Sequence, residues 1–534
     1  MRVGEAVVEL LREHGVDTVF GIPGVHTIEL YRGIALGGMT AITARSEQGA
    51  GLMADGYARV TGRPGVCIVV SGPGVTNVAT AVGQAFHDSI PLLVIAAGVR
   101  RDEMGRGYGP LHDLPDQAAV LRPMTARSTT VASAEELPGL LDEAWRVFSC
   151  ERPRPVHLTI PVDLLEADWP SQVPVAAARL TACRPAPDPE AVRAAAALLA
   201  SARRPVVILG GGAVDAGAQA LALARRLDAP VAVTGNARGV IPHDDPLCLG
   251  STLPLGTVAD LVAAADVALL CGTELSPVDT MYSGRRLAFG GRVVRVDIDP
   301  EQIAKKVAPA VGIVADAGRA MAALDAAIGT QGAIAPAAAG REPGAARVAG
   351  ALGAATWDAS MAVHDPWIAA LDAALPRDRI VAIDSTQLAY TAHHRMPCWR
   401  PRSWLAPYGW GSLGTALPNA IGAAIAAPDR PVVAIAGDGG LLFTIGEMAT
   451  AVDLGRPLLL LVWDNRGYGE IRDAFDRASA PRIGTETTAA DPLAIARGFG
   501  WRAEEARDPS SLGPLVRRAL GGQVPTMLLI RTPR

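Results

Sequence analysis

Aromatic side chains are scarce: 9 Trp, 7 Tyr and 7 Phe make up 4% of the 534 residues, so the interior has to be built from Ala, Val, Leu and Ile. Charge of one sign is missing too. Lys+Arg 49 against Asp+Glu 54 leaves a formal net charge of −5 with no long basic or acidic run, which argues against a dedicated binder of nucleic acid or membrane surfaces. No apolar stretch approaches the roughly 18–20 residues that span a bilayer, and the strongest, Pro457 to Trp463, fits a buried strand. The N-terminal MRVGEAVVELLREHGV is interrupted by Glu5, Glu9, Arg12 and Glu13, so it reads as an amphipathic helix rather than a signal peptide. A cytoplasmic protein is expected. The six cysteines (Cys67, Cys150, Cys183, Cys248, Cys271, Cys398) include no CxxC pair. That excludes a structural zinc site and a disulfide framework, leaving buried free thiols as the expectation.

At roughly 150 residues per domain, the length suggests about three globular units. Two stretches read as linkers: Trp169 to Glu190, with five prolines, and Ile328 to Gly350, rich in Ala, Gly and Pro. They divide the chain at 1–165, 186–330 and 355–534. Short β-branched runs (Val66 to Val70, Pro205 to Leu209, Val293 to Ile298, Val432 to Ala436, Leu458 to Val462) alternate with Ala/Leu-rich helical segments. The alternation predicts an α/β fold of three domains, each a mostly parallel sheet flanked by helices. Ligands of such sheets bind beyond the carboxyl ends of the strands.

The strand at 432–436 runs into Gly437-Asp438-Gly439-Gly440, then a helix expected from Phe443 to Leu454, then a strand ending at Asp464-Asn465-Arg466-Gly467. One helical crossover would make the two strand ends neighbours and bring Asp438 and Asn465 together. A carboxylate, an amide oxygen and a loop carbonyl form a hard oxygen set that suits Mg²⁺ or Ca²⁺ rather than zinc. The glycines would let a diphosphate approach backbone N–H groups near a helix start.

These residues resemble the Gly-Asp-Gly to Asn signature of thiamin-diphosphate-dependent enzymes, with the Asn 27 positions after the Asp. A second motif agrees: Arg45-Ser46-Glu47-Gln48 before a helix at Gly49 to Arg59, then Thr61-Gly62-Arg63-Pro64-Gly65, a strand, and Ser71-Gly72-Pro73-Gly74-Val75-Thr76-Asn77. It looks like the pyrimidine-binding domain of that family. Over nearly the whole chain the order of domains is similar to acetohydroxyacid synthase and the related 2-oxo acid decarboxylases: pyrimidine, central, diphosphate. The resemblance implies thiamin diphosphate and Mg²⁺ as cofactors. It places Asp438, Asn465 and the carbonyl of Gly467 on the metal, although Asp464 stands where many relatives carry a second Asn. Glu47 would hydrogen-bond the aminopyrimidine ring and trigger general-base catalysis within the cofactor. The segment Gly409-Trp410-Gly411-Ser412-Leu413-Gly414 would supply Leu413 as a wedge beneath the cofactor and the Gly411 carbonyl for its 4′-amino group. Pro73, Asn77, Ser385, Thr386, Gln387, Gly437, Gly439, Gly440 and Tyr468 complete the implied cofactor contacts. A homodimer with the cofactor at its interface follows by resemblance, with pairing of dimers into a tetramer as a further state.

The substrate is less legible. Val25 stands where pyruvate decarboxylases carry an acid, and Val70 where benzoylformate decarboxylase has a His. His26 and His112 are candidate catalytic residues for proton transfer or carboxylate orientation. The doublet His393-His394 reads as a solvated surface. Pro205 to Gly212 is a weak dinucleotide fingerprint, and Cys271 to Asp279 replaces the Arg-containing segment of flavin-binding relatives, so FAD is not expected. The segments around Gly21 to Thr27, Leu111 to Pro115, Gly272 to Pro277 and Asp384 to Gln387 look most similar to the branch that decarboxylates 5-guanidino-2-oxopentanoate. A guanidinium would want a carboxylate, which Asp113, Glu274 or Asp279 could supply. The expected reaction is decarboxylation of a 2-oxo acid to an aldehyde and CO₂; the alternative is an acetolactate-synthase-like carboligation of two 2-oxo acids.

Overall fold

The computed structural model describes residues 1–178, 184–280, 287–330, 342–486 and 490–532. Three six-stranded parallel sheets flanked by helices organise the chain. In the first, the strands run Thr40–Thr43, Thr18–Gly21, Gly65–Val69, Leu92–Gly98, Val156–Pro161, Arg127–Thr130 across the sheet. In the second the order is Val311–Val314, Arg292–Asp297, Val267–Cys271, Pro205–Leu209, Val231–Val233, Cys248–Gly250. Five strands of the third run Ile380–Ile383, Val432–Gly437, Leu459–Asp464, Thr526–Arg531, Arg502–Glu505. Every pairing among these is parallel. The central strands are mostly aliphatic, as expected where helices cover both faces; Leu92–Gly98 and Leu459–Asp464 are buried throughout. Each buried Val, Leu or Ile there contributes about 1.5–3 kcal/mol of transfer free energy.

Contacts gather the chain into two compact units. One comprises Met1–Cys183, Ile380–Gln387 and Gly409–Arg534; the other comprises Arg184–Arg379 and Leu388–Tyr408. Within the first unit, helices Glu47–Thr61 and Ala416–Ala426 meet backbone to backbone. A Cβ at Gly56 would fall 2.3 Å from the Asn419 carbonyl oxygen, and one at Gly422 would fall 2.0 Å from that of Met53. Only glycine permits that approach.

Four local expectations are corrected. The crossover after Asp438 is three pieces, Asp438–Leu441, a 3₁₀ turn at Leu442–Thr444 and Glu447–Asp453, rather than one helix from Phe443. Helicity starts at Asp438 itself, directly after the strand, and the chain bends at Ile445-Gly446. Gly344–Gly353 is a helix inside the presumed second linker, capped at its start by Pro343 and anchored by buried Arg347 and Val348. The small residues that read as linker serve close packing: a Cβ at Gly344 would lie 2.5 Å from the Asp228 carbonyl oxygen. His393 and His394 are not a solvated doublet. His393 is buried against the Tyr408 hydroxyl, and His394 Nδ1 bonds the Ser251 carbonyl at 2.7 Å. Burial pushes both imidazoles down, His394 to about 4. Finally, Cys67, Cys248, Cys271 and Cys398 are buried free thiols as expected, whereas Cys150 is disulfide-bonded. Cys183 lies outside the described residues.

No helix among the described residues is long and apolar enough to cross a membrane.

Candidate active site

Parallel pairing aligns the carboxyl ends of three neighbouring strands of the third sheet: Ile383 is level with Ile435, and Gly437 with Trp463. Asp384, Asp438 and Asn465 follow from those ends, so the sheet itself gathers residues far apart in sequence. Ser385–Gln387 come with them. A Cβ on Gly437 would touch Thr386 Oγ1 at 2.9 Å, and Asn465 Nδ2 donates to Gln387 Oε1 at 3.2 Å. Gly439 lies against the Tyr468 ring, where a Cβ would come within 2.8 Å, and Gly440 lies against Asp384 Oδ2, at 2.7 Å. The three glycines around Asp438 thus form a cradle walled by Thr386, Tyr468 and Asp384. Gly467, at φ +150, pairs with Glu486 in an isolated antiparallel bridge, and the Tyr468 N–H donates to the Thr485 carbonyl at 2.9 Å. Arg472 donates to the Asn465 carbonyl at 2.8 Å and holds that loop in place.

The donor set fits a hard cation. Asn465 Oδ1 is buried, and no hydrogen bond from the described residues offsets its desolvation. The carboxylate of Asp438 stands on the adjacent strand end. Behind the cradle, Asp384 is buried while accepting backbone N–H groups of Ser385 and Gly414, each at 2.8 Å, and of Thr415. Burial outweighs those donors and pushes its carboxyl up to about 6.

In the first sheet, Ser46 caps helix Glu47–Thr61 by accepting the Gly49 N–H at 3.0 Å. Glu47 is its first helical residue, 9% exposed, and Asn77 Nδ2 donates to its Oε2 at 3.0 Å. Asn77 lies on the next helix, Pro73–Asp88, whose first position is the preorganised Pro73. One contributor was invisible in the sequence. The buried carboxylate of Glu447 accepts the N–H groups of Arg45 and Ser46 at 3.1 and 3.0 Å and the Thr450 hydroxyl at 2.7 Å. It fixes the turn that presents Glu47. A glutamate in the first turn of a helix ordinarily reads as a dipole-favoured surface residue, and its partners lie about 400 positions earlier. A Cβ at Gly49 would collide with Glu447 Oε1 at 2.0 Å, which is the physical reason for that glycine.

A third cluster joins three loops. His26, in the 3₁₀ turn Val25–Thr27, and His112 have ring centroids 5.4 Å apart. His112 sits at φ +62, and its carbonyl presses on Gly72, where a Cβ would come within 2.7 Å. His26 Nδ1, His112 Nδ1, Asp113 Oδ1 and Ser71 Oγ are buried without hydrogen-bond partners among the described residues. Burial, and secondarily the nearby His112, hold the His26 imidazole below its ordinary value. Near pH 7 His26 is therefore neutral, with one lone pair and one N–H. Val25 projects into solvent at 71% exposure.

The remaining predicted residues fall elsewhere. Gly411, at φ +71, and Leu413 lie in the first unit, in an exposed-to-half-buried segment between Gly409 and Gly414. Glu274 and Asp279 belong to the second unit, where the Asp279 carboxylate accepts the Gly235 N–H at 2.9 Å.

Comparison with known proteins agrees with this geometry. Models of the thiamine pyrophosphate enzymes match residues 1–120 (N-terminal TPP binding domain), 192–324 (central domain) and 384–530 (C-terminal TPP binding domain). The sequence is 43% identical to "Probable 2-ketoarginine decarboxylase AruI" of Pseudomonas aeruginosa, over 99% of this chain and 94% of that protein. It is 32% identical to the acetolactate synthase isozyme 1 large subunit of Escherichia coli, over 96% of this chain and 92% of that one. The fold is similar, at a TM-score of 0.84, 26% identity and full coverage of both chains, to the crystal structure of a protein from Mycobacterium smegmatis described as a thiamin diphosphate-dependent enzyme.

Proposed function

This chain belongs to the thiamine pyrophosphate enzymes, and we propose that it decarboxylates 5-guanidino-2-oxopentanoate to the corresponding aldehyde and CO₂. The observation that carries the substrate is the 43% identity, over 99% of the chain, to a protein named for 2-ketoarginine. Asp113 Oδ1 and Ser71 Oγ, buried without hydrogen-bond partners among the described residues, support it, since a guanidinium brings five N–H donors to such acceptors.

The metal is Mg²⁺, held by Asp438, Asn465 and the Gly467 carbonyl, with Gly437, Gly439, Gly440, Ser385, Thr386, Gln387 and Tyr468 around the diphosphate. When bound, thiamin diphosphate supplies the electron sink that a 2-oxo acid needs to lose CO₂. Glu47 exchanges a proton with nitrogen N1′ of the pyrimidine, while Asn77 orients the carboxylate and Pro73 starts the helix that carries Asn77. Leu413 gives the cofactor apolar support and Gly411 offers its carbonyl to the 4′-amino group. His26 and His112 move a proton at the reacting carbon or orient the substrate carboxylate. Asp113 receives the guanidinium; Glu274 and Asp279 are the alternative acids, and Val25, next to His26 in the chain, is a further candidate substrate contact. The domains are 1–165, 186–330 and 355–534, and the active species is a cytoplasmic homodimer or tetramer in which Glu47 of one subunit serves a cofactor held by another.

The test incubates the Mg²⁺- and thiamin-diphosphate-loaded enzyme with 5-guanidino-2-oxopentanoate, pyruvate and uncharged 2-oxo acids while measuring CO₂ and identifying products. The expected result is an aldehyde, with kcat/KM for the guanidino acid about 100-fold above the uncharged ones and most of that preference lost in Asp113→Asn. Equal rates across the panel would remove the guanidinium assignment. A 2-hydroxy-3-oxo acid as product would replace decarboxylation with the carboligation of acetolactate synthases. Mass photometry at assay concentration checks the assembly, and a monomeric active species contradicts it.

A further inference from the structure

The segment Gly409–Leu413 has no regular secondary structure and is largely solvent-facing, yet its backbone is tied to a buried ionic group of the first unit. Asp55 and Arg59 lie one turn apart on the helix that begins at Glu47. Arg59 Nε reaches Asp55 Oδ2 at 2.5 Å, and its NH2 group reaches Asp88 Oδ2 at 2.7 Å. Asp88 ends the helix that carries Asn77. One turn before it, Gln84 donates through Nε2 to the same Asp88 oxygen at 2.6 Å. The two outward acceptors of this network are then spent on one target: Asp88 Oδ1 accepts the Gly409 N–H at 2.9 Å, and Gln84 Oε1 accepts the Ser412 N–H at 3.2 Å. Between those anchors the Trp410 ring lies against Gly83, where any Cβ would collide with it.

Burying two carboxylates and a guanidinium stabilises a fold weakly at best, because the desolvation of the charges offsets their attraction. Asp55 is fully buried and Gln84 likewise. Burial pushes the Asp55 carboxyl up, while the two carboxylates hold the Arg59 guanidinium charged. What such a network can do that apolar packing cannot is place acceptors at set positions and so select one backbone conformation. The conformation it selects is an uncommon one, with φ +71 at Gly411 and +79 at Gly414. The far end of the segment is held as well, since Asp384 accepts the Gly414 N–H and the Thr444 hydroxyl donates to the Gly414 carbonyl at 2.7 Å.

We propose that Asp88 and Gln84, oriented by the buried Asp55–Arg59 pair, are positioning residues that fix Gly409–Ser412 so that the Gly411 carbonyl and the Leu413 side chain stand ready for the cofactor. The inference rests on the assignment of Gly411 and Leu413 to the cofactor. Because Asp55, Arg59, Gln84 and Asp88 sit on the two helices that also carry Glu47 and Asn77, one network sets both parts of the site from a single buried point.

The test uses Gln84→Met, which keeps side-chain length and volume but removes the Ser412 acceptor, with Asp88→Asn as the second variant. Each is measured for kcat and KM, for half-saturation by thiamin diphosphate, for melting of the cofactor-free protein, and for Trp410 emission taken as the difference from the matching Trp410→Phe protein. Gln84→Met is expected to lower kcat by about 10- to 100-fold with KM for the 2-oxo acid changed less than about 2-fold, as for a misplaced catalytic segment. Half-saturation by cofactor should rise, Trp410 emission should shift in the cofactor-free protein, and Tm should fall by no more than about 4 °C. Wild-type kcat and wild-type Trp410 emission in whichever variant folds would overturn the proposal, whatever happens to Tm. Leu413→Ala in the same assays separates the two failures. If Leu413→Ala is impaired while both network variants behave as wild type, the positioning role alone is wrong; if Leu413→Ala is also unimpaired, the cofactor assignment falls and takes the proposal with it.

Discussion

Glu47 and Ser71 each follow the carboxyl end of a strand of the first sheet, yet their surroundings are opposite. Around Glu47 the polar groups are paired: Asn77 holds its carboxylate, Glu447 holds the two N–H groups of the preceding turn, and Ser46 caps the helix. Around Ser71, four side-chain atoms on Ser71, His26, His112 and Asp113 are buried with no partner among the described residues. Unpaired buried polar atoms are uncommon in folded proteins, and they cluster where a ligand completes the hydrogen bonding. Under the proposed function, the difference separates a paired region that is ordered before anything binds from a cluster whose open acceptors a substrate would complete.

The contrast can be broken most sharply at Glu47. Glu47→Gln should lower kcat by about 10³- to 10⁴-fold, the range for losing a general acid–base group, while circular dichroism and the unfolding midpoint stay near wild type. A loss of kcat under about 10-fold would mean that the paired region serves the fold rather than the chemistry. Glu447→Gln tests the positioning layer behind it. At least one of the donors it accepts, the Arg45 and Ser46 N–H groups and the Ser46 and Thr450 hydroxyls, would then face an amide NH₂, and chemical denaturation at pH 7 should register about 1–3 kcal/mol of lost stability. Its pH dependence has a definite sign. Burial pushes the Glu447 carboxyl above its ordinary value, so the folded protein binds that proton more tightly than the unfolded chain. The group's contribution to stability therefore declines as pH rises from the ordinary carboxylate range through the raised value, and the Gln variant loses that slope. Ser71→Ala should have the smallest effect on folding, within about 0.5 kcal/mol of wild type, because it deletes a hydroxyl that bonds nothing among the described residues. If it instead raised KM for the guanidino acid, the ligand-completed character of this cluster would be strengthened. A large loss of stability would refute it.

Much of the fold was legible in local pattern. The aliphatic run Leu458 to Val462 marked the strand Leu459–Asp464 to within two residues, and the glycines around Asp438 and the Arg45-to-Asn77 motif singled out the two segments from which the candidate site is built. The misreadings share a cause. His393-His394 looked solvent-facing because a polar doublet in a helix usually is, and only Tyr408 and Ser251 folding back onto it make the positions interior. The Ala/Gly-rich stretch at 344–353 looked like linker because close packing and chain flexibility select the same small residues.

Strand and helix periodicity, the spacing of Asp438 to Asn465 and the turn glycines are short-range properties, set by backbone sterics and by which faces must leave water, so the amino-acid string alone determined them. The bond from Glu447 to Arg45, the tie from Asp88 to Gly409 and the meeting of His26 with His112 join residues with no local relation. Those pairings exist only once packed sheets and glycine-mediated helix contacts bring distant chain together, because hydrogen bonds and buried charges act over a few ångströms and leave no periodic trace along the sequence.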